Sequence, residues 1–173
     1  AYDSRTPFDA LAVRKALYRS MLVSPTAGVT YGHHGIWSWS GKAEVPAAHG
    51  GSGVAPPWHE ALKAEGATSV KRLSAFFRSI KWWTLVPDTT LVAGKQENPH
   101  GYVASARSGD GSLAVIYLPS GDQVTLNTAD LKRPRDARWY QPATGRYTKA
   151  GRITSDSHTF TPPGAGDWIL LIK

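Results

Sequence analysis

From Val29 to Trp39 the chain reads VTYGHHGIWSW, so Tyr31, His33, His34, Trp37 and Trp39 are crowded into one short stretch. Imidazoles bind metals, move protons or donate hydrogen bonds, and indoles offer flat apolar faces. Three chemistries follow. A metal site needs a third ligand and a suitable spacing. Adjacent histidines on an extended segment point to opposite sides, and no HExxH pattern is present. No metal is therefore expected. A structural role stays open, with one histidine hydrogen-bonded in the core and the other at the surface. So does carbohydrate contact: Trp37 and Trp39 alternate, so one would face the core and the other a groove, where a ring covers the C–H face of a sugar and histidines bond its hydroxyls.

The elements around this stretch must hold it in place. TPFDALAVRKALYRSMLVS predicts a helix from Pro7 to about Val23, capped by Thr6, with Ala10, Val13, Leu17 and Met21 as its buried stripe and Lys15 and Arg19 opposite. AGVTYG, Ala27 to Gly32, reads as a short buried strand. The glycine- and proline-rich loop from Gly32 to Pro57 is long enough to be functional. A short helix from Pro56 to Gly66 follows. A stronger one has Val70, Leu73, Phe76, Phe77 and Ile80 on one face and Lys71, Arg72, Arg78 and Lys81 outward. Trp82 and Trp83 are expected to seal a junction, and Trp168 to lie in the core.

From Tyr102 onward the texture changes. YVASAR, SLAVIYL, DQVTLN, ARWYQP, RYTKAG, HTFTPP and DWILLIK are seven candidate strands separated by turn residues, which is the pattern of a sandwich. The fold class expected is α+β, with a boundary between Thr89 and Pro99.

Composition narrows the functions further. The chain has 173 residues, no cysteine and a formal charge of +7, which removes disulfides, thiolate metal sites and thiol nucleophiles. Residues 1–97 carry 11 basic and 7 acidic groups and residues 98–173 carry 9 and 6, so the excess is spread. The densest cluster, KRPRDAR from Lys132 to Arg138, holds four basic residues around one acid and reads as a solvated loop, with no nucleic-acid motif beside it. No apolar run approaches the length of a membrane span. Neither a nucleic-acid nor a membrane partner is expected. The chain starts at Ala1 without a leader-like segment, which reads as a cut or processed end.

One helix-strand-loop-helix run with a single strand lacks partners for that strand's backbone. VRKALYRSMLVSPTAGVTYGHHGIWSW followed by PWHEAL and GATSVKRLSAFFRSIKWWTLVPD resembles the last part of the apiosidase-like glycoside hydrolase barrel. DARWYQPATGRYT and FTPPGAGDWILLI resemble the small β-domain, labelled collagen-binding, that follows it.

The resemblance implies a C-terminal fragment of a (β/α)8 barrel, residues 1–92, followed by an antiparallel β-sandwich, residues 93–173. The helix from Pro7 becomes the seventh barrel helix, AGVTYG the eighth strand, and SVKRLSAFFRSI the closing helix. HHGIWSW then lies on the face where such barrels keep their active sites.

Glycoside hydrolysis needs two carboxylates. The acids of the first 97 residues are Asp3, Asp9, Glu44, Glu60, Glu65, Asp88 and Glu97, and all but Asp3 and Glu44 sit in helix, cap or linker contexts. The family's nucleophile is expected immediately before a motif like AYD, with which this chain begins, and its acid/base further upstream. No catalytic residue is therefore assigned. The resemblance implies a carbohydrate substrate of plant type, contacted by Tyr2, Asp3, Tyr31, His33, His34, Trp37 and Trp39. It also implies no metal or other cofactor, the remainder of the barrel as partner, and a secreted or periplasmic setting. The competing reading is a non-catalytic carbohydrate- or collagen-binding module.

Overall fold

A computed structural model of the chain describes residues 8–47 and 53–173. Tyr2, Asp3, Thr6 and Pro7 lie outside the described residues. The first helix, α1, spans Ala10–Val23, and its cap is Asp9 rather than Thr6: the carboxylate accepts the Ala12 N–H at 2.7 Å. Leu17, Tyr18 and Leu22 are its buried residues, with Val13 and Met21 half-buried beside them. The buried stripe is therefore turned from the expected one and centred on Tyr18. Arg19, expected on the opposite face, instead donates to the carbonyls of His100 and Tyr102 at 3.0 and 2.9 Å.

Ala27 to Gly32 forms no strand, and Ala27, Gly28, Thr30 and Gly32 are exposed. A barrel strand is held by neighbours on both sides, and the described residues supply none here, so the β-branched sequence alone does not order a ladder. A single helical turn, α2 (His34–Trp37), follows, then a second, α3 (Trp58–Ala61), and then the long helix α4 (Glu65–Arg78). Gly66, expected to close the short helix, lies in the first turn of α4 instead. Leu73, Phe76 and Phe77, with Ile80 just beyond, form the expected buried face of α4.

Eight strands complete the chain: β1 (Leu85–Pro87), β2 (Ala104–Ser108), β3 (Ala114–Leu118), β4 (Val124–Asn127), β5 (Arg135–Gln141), β6 (Arg146–Ile153), β7 (Ser157–Phe160) and β8 (Trp168–Ile172). Each of the seven expected strand segments overlaps one of these, and β1 is added from the end of WWTLVPD. A six-stranded antiparallel sheet has the order β1-β2-β3-β8-β5-β6, and β4 pairs with β7 as a two-stranded ribbon.

Both central strands are buried along their whole length because both sheet faces are covered. On one face Val115, Tyr117, Ile169 and Leu171 pack with Leu17, Tyr18, Leu73 and Phe76 of the helices. On the other, Ile116, Leu118, Trp168 and Leu170 pack with Val124, Leu126 and Phe160 of the ribbon. Alternation along β3 and β8 thus assigns each residue to one of two cores. Trp139 and Tyr140 divide in the same way. The two adjacent tryptophans also part company: Trp82 packs on the helix-side core, whereas Trp83 is 67% exposed and seals nothing.

Candidate functional site

The loop beginning at Tyr31 is fixed by two close approaches that only glycine permits. Gly35 is buried in α2, and a Cβ there would lie 2.5 Å from the Pro56 carbonyl oxygen and 2.8 Å from the Ala61 Cβ. α2 therefore sits directly on α3 and the prolines before it. Gly66 offers the second approach, since a Cβ there would meet the Tyr31 hydroxyl at 2.5 Å. Tyr31 is thus laid against the first turn of α4, and its burial raises its hydroxyl pKa.

Across the loop, Glu44 and Ala55 form an isolated antiparallel bridge, with N–H···O distances of 3.2 and 2.9 Å. The Trp58 N–H donates to the Ser40 carbonyl at 3.0 Å. These bonds carry Trp58 under Trp39, and the two indoles stack at 4.8 Å with an interplanar angle of 11°. Trp39 remains 61% exposed and has φ +52°, a left-handed conformation costly for a bulky residue. The expected division of Trp37 and Trp39 between core and groove is not what forms, because Trp37 ends the helical turn α2 and Ser38 keeps a helical backbone instead of an extended one. Both are exposed, Trp37 at 39%.

The histidines do not point apart. His33 is extended and caps α2, whereas His34 is already helical, so their rings meet edge to face at 5.1 Å. His33 Nδ1 accepts the Gly35 N–H at 3.1 Å, which leaves Nε2 as the protonated nitrogen of the neutral ring. Burial, and then the neighbouring His34, lower the His33 pKa. The ring is therefore a neutral hydrogen-bond donor near pH 7. Among the described residues no group of three or more His, Cys, Asp or Glu could hold a metal.

The loop's own acid, Glu44, accepts from Ser40 Oγ at 2.5 Å and pairs with Lys42 at 3.5 Å; the Ser40 bond holds its carboxyl below the usual range. It is a single ionised carboxylate, not the opposed pair that glycoside hydrolysis requires. The surface consists of a stacked indole pair, a neutral imidazole donor and a half-buried tyrosine. Such a set can bind a ligand with apolar C–H faces and hydroxyls. Trp58 was not among the expected site residues. Its sequence signal, an indole directly after two prolines at a helix start, identifies no partner across the intervening loop.

The same fold occurs in solved glycoside hydrolases. One described as "Glycoside hydrolase" superposes with a TM-score of 0.82 at 21% identity over 96% of this chain and 37% of its own. A glycoside hydrolase family 5 protein from Bacteroides vulgatus superposes with a TM-score of 0.81 at 20% identity over 96% of this chain and 36% of its own. The chain therefore spans little more than a third of the length of either neighbour. Residues 86–173 match the family model described as "Putative collagen-binding domain of a collagenase", and residues 2–84 match "Apiosidase-like, catalytic domain". The chain belongs to the family of the collagen-binding-type domain, whose model matches half of it, and the apiosidase-like match precedes that domain. No curated protein is significantly similar to it.

Proposed function

We propose that the chain is the C-terminal portion of an apiosidase-like glycoside hydrolase acting on a plant-type polysaccharide. In this reading residues 1–92 complete a (β/α)8 barrel and residues 93–173 form an antiparallel sandwich that braces it, with β1 reaching into the neighbouring sheet. The helix α1, the segment 27–32 and α4 take the places of the seventh helix, eighth strand and closing helix. The loop at His33–Trp39 contributes substrate contacts, Tyr31 supports it, and the catalytic carboxylates come from outside this chain. Tyr2 and Asp3 are assigned to the same rim by their place beside the family's catalytic strand end.

The observation that carries this reading is the stack of exposed Trp39 on Trp58, in the loop that also carries the neutral His33. Stacked indoles are a platform for sugar rings. The test is a binding and turnover assay of the chain on neutral oligosaccharides and aryl glycosides. Binding should perturb tryptophan fluorescence and weaken about tenfold or more in Trp39→Ala, the loss of about 1.4 kcal/mol, with no hydrolysis by the chain alone. Turnover, or binding indifferent to Trp39, would overturn the assignment.

The second reading is a freestanding collagen- or glycan-binding module formed by the β-strands. Against it stands the helix-side core, in which Tyr117, Ile169 and Leu171 are covered by α1 and α4 and not by a ligand.

A further inference from the structure

A groove lies at the far end of α4. Its walls are the turn after that helix, the β2–β3 turn, the first residue of β5 and the residue after β8, and it encloses about 620 Å³. This volume lies within the range of about 300–1,000 Å³ common for small-ligand clefts. Trp83 stands in it with 67% of its surface exposed, while its neighbour Trp82 is committed to the core. Twelve residues of α4, 67 to 78, separate Gly66, where Tyr31 packs, from Ser79 at the groove, a rise of roughly 20 Å at 1.5 Å per residue. The groove is thus at the opposite end of α4 from the contact with Tyr31.

Charge gives the groove its character. Lys81, Arg135 and Lys173 line it, and none of them forms an ion pair among the described residues. Nearby cations are spoken for: Arg107 pairs with Asp88 and Asp130, Lys132 with Asp110, Arg133 with Asp156, and Arg152 with Asp136. The groove's one acid, Asp110, is also engaged. It accepts from Ser108 Oγ at 2.7 Å, from the Ser112 N–H and hydroxyl at 3.1 and 2.8 Å, and from Lys132 Nζ at 3.3 Å. Three cations without an ion pair among the described residues therefore line the same groove as an exposed indole, and Arg135 Nε donates to the Lys132 carbonyl at 3.1 Å.

We infer that this groove binds an acidic saccharide, with Trp83 covering a sugar C–H face and Lys81, Arg135 and Lys173 holding carboxylates. An indole alone would suit a neutral sugar, and cations alone a free phosphate; their combination selects a ring that carries both an apolar face and a negative charge. Single-stranded nucleic acid also combines stacking with charge, but it needs a track of successive aromatic platforms. This groove has a single ring. The apiosidase-like match favours the same choice, and the inference does not depend on the Trp39–Trp58 reading.

The experiment is calorimetric titration of the chain with an oligogalacturonide, its fully methyl-esterified counterpart, inorganic phosphate and an oligo-dT. The esterified ligand keeps the C–H faces and lacks the charge. Every titration is run on the Trp39→Ala chain, which silences the other platform; expected there is binding of the acidic oligosaccharide at least tenfold tighter than of the other three, weakened tenfold or more by adding Trp83→Ala or Lys81→Glu, and weaker with added salt. Lys81→Glu changes an exposed side chain and guards against misfolding of the indole variant. Equal binding of the esterified ligand, equal or tighter binding of phosphate or oligo-dT, or binding indifferent to Trp83→Ala would each overturn the proposal.

Discussion

Arg14 on α1 and Asp167, one residue before β8, are 153 residues apart and meet as a two-pronged ion pair, Nε to Oδ2 at 2.8 Å and Nη2 to Oδ1 at 2.9 Å. The Asp167 side chain is 1% exposed and takes a third bond from the Tyr117 hydroxyl at 3.2 Å. Tyr117 in turn stacks on Tyr18 of α1 at 5.1 Å. Burial is the largest single influence on the Arg14 pKa and lowers it, but the hydrogen bond and the charge of Asp167, with smaller contributions from Tyr117 and Tyr18, together outweigh it and the net shift is upward. The first helix and the last strand are thereby clasped by charge, hydrogen bonds and stacked rings together.

Removing one side of that clasp leaves a buried charge alone. Arg14→Ala or Asp167→Ala should each cost about 3–5 kcal/mol in urea unfolding. The double change Arg14→Met with Asp167→Leu should recover most of it. Equal losses in single and double variants would show that packing, not charge, dominates.

Gly35→Ala tests how the aromatic platform is built. Its Cβ would collide with backbone at Pro56, so α2 must lift from α3. A loss of about 1–3 kcal/mol is expected. The stacked indoles should separate, seen as loss of their coupled signal in circular dichroism.

His33 gives the loop a pH dependence. Its folded pKa is below its unfolded one, so the unfolded chain binds the proton first as pH falls. The stability it contributes is complete above the unfolded value near 6.5 and is lost as pH drops through the folded value. Protonating Nδ1 would also break the bond from the Gly35 N–H. An NMR titration should place the His33 midpoint below 6.5, and His33→Asn should flatten the stability profile between pH 7 and 5.

The brace itself is testable by division. Residues 86–173 expressed alone would expose Val115, Tyr117, Ile169 and Leu171 on one sheet face. Dye binding and self-association are expected, whereas a soluble monomer with sharp resonances would show that this segment needs no helices.

What could be read in the sequence was whatever local pattern decides. Alternation and turn residues located the seven strands, and the spacing from Val70 to Ile80 located the buried face of α4. Ala27 to Gly32 failed as a strand because its composition describes a ladder whose other rails are absent from the described residues. The site was legible as a stretch but not as a geometry. Trp58 reaches Trp39 only through a bridge between Glu44 and Ala55, and no local rule predicts that pairing. Trp82 and Trp83 show the same limit: identical neighbours, divided by one helical turn into core and solvent.

The short strand β1 has a bearing on how such proteins can be recombined. The two family matches meet between residues 84 and 86, and there the backbone is already laddered, with Leu85 opposite Ser108, Val86 opposite Arg107 and Pro87 opposite Ala106. A graft that joins a foreign partner at that border would strip the outermost rung from the sheet and leave β2 as a raw edge. A graft that keeps this sheet whole must carry Leu85 to Pro87 together with β2.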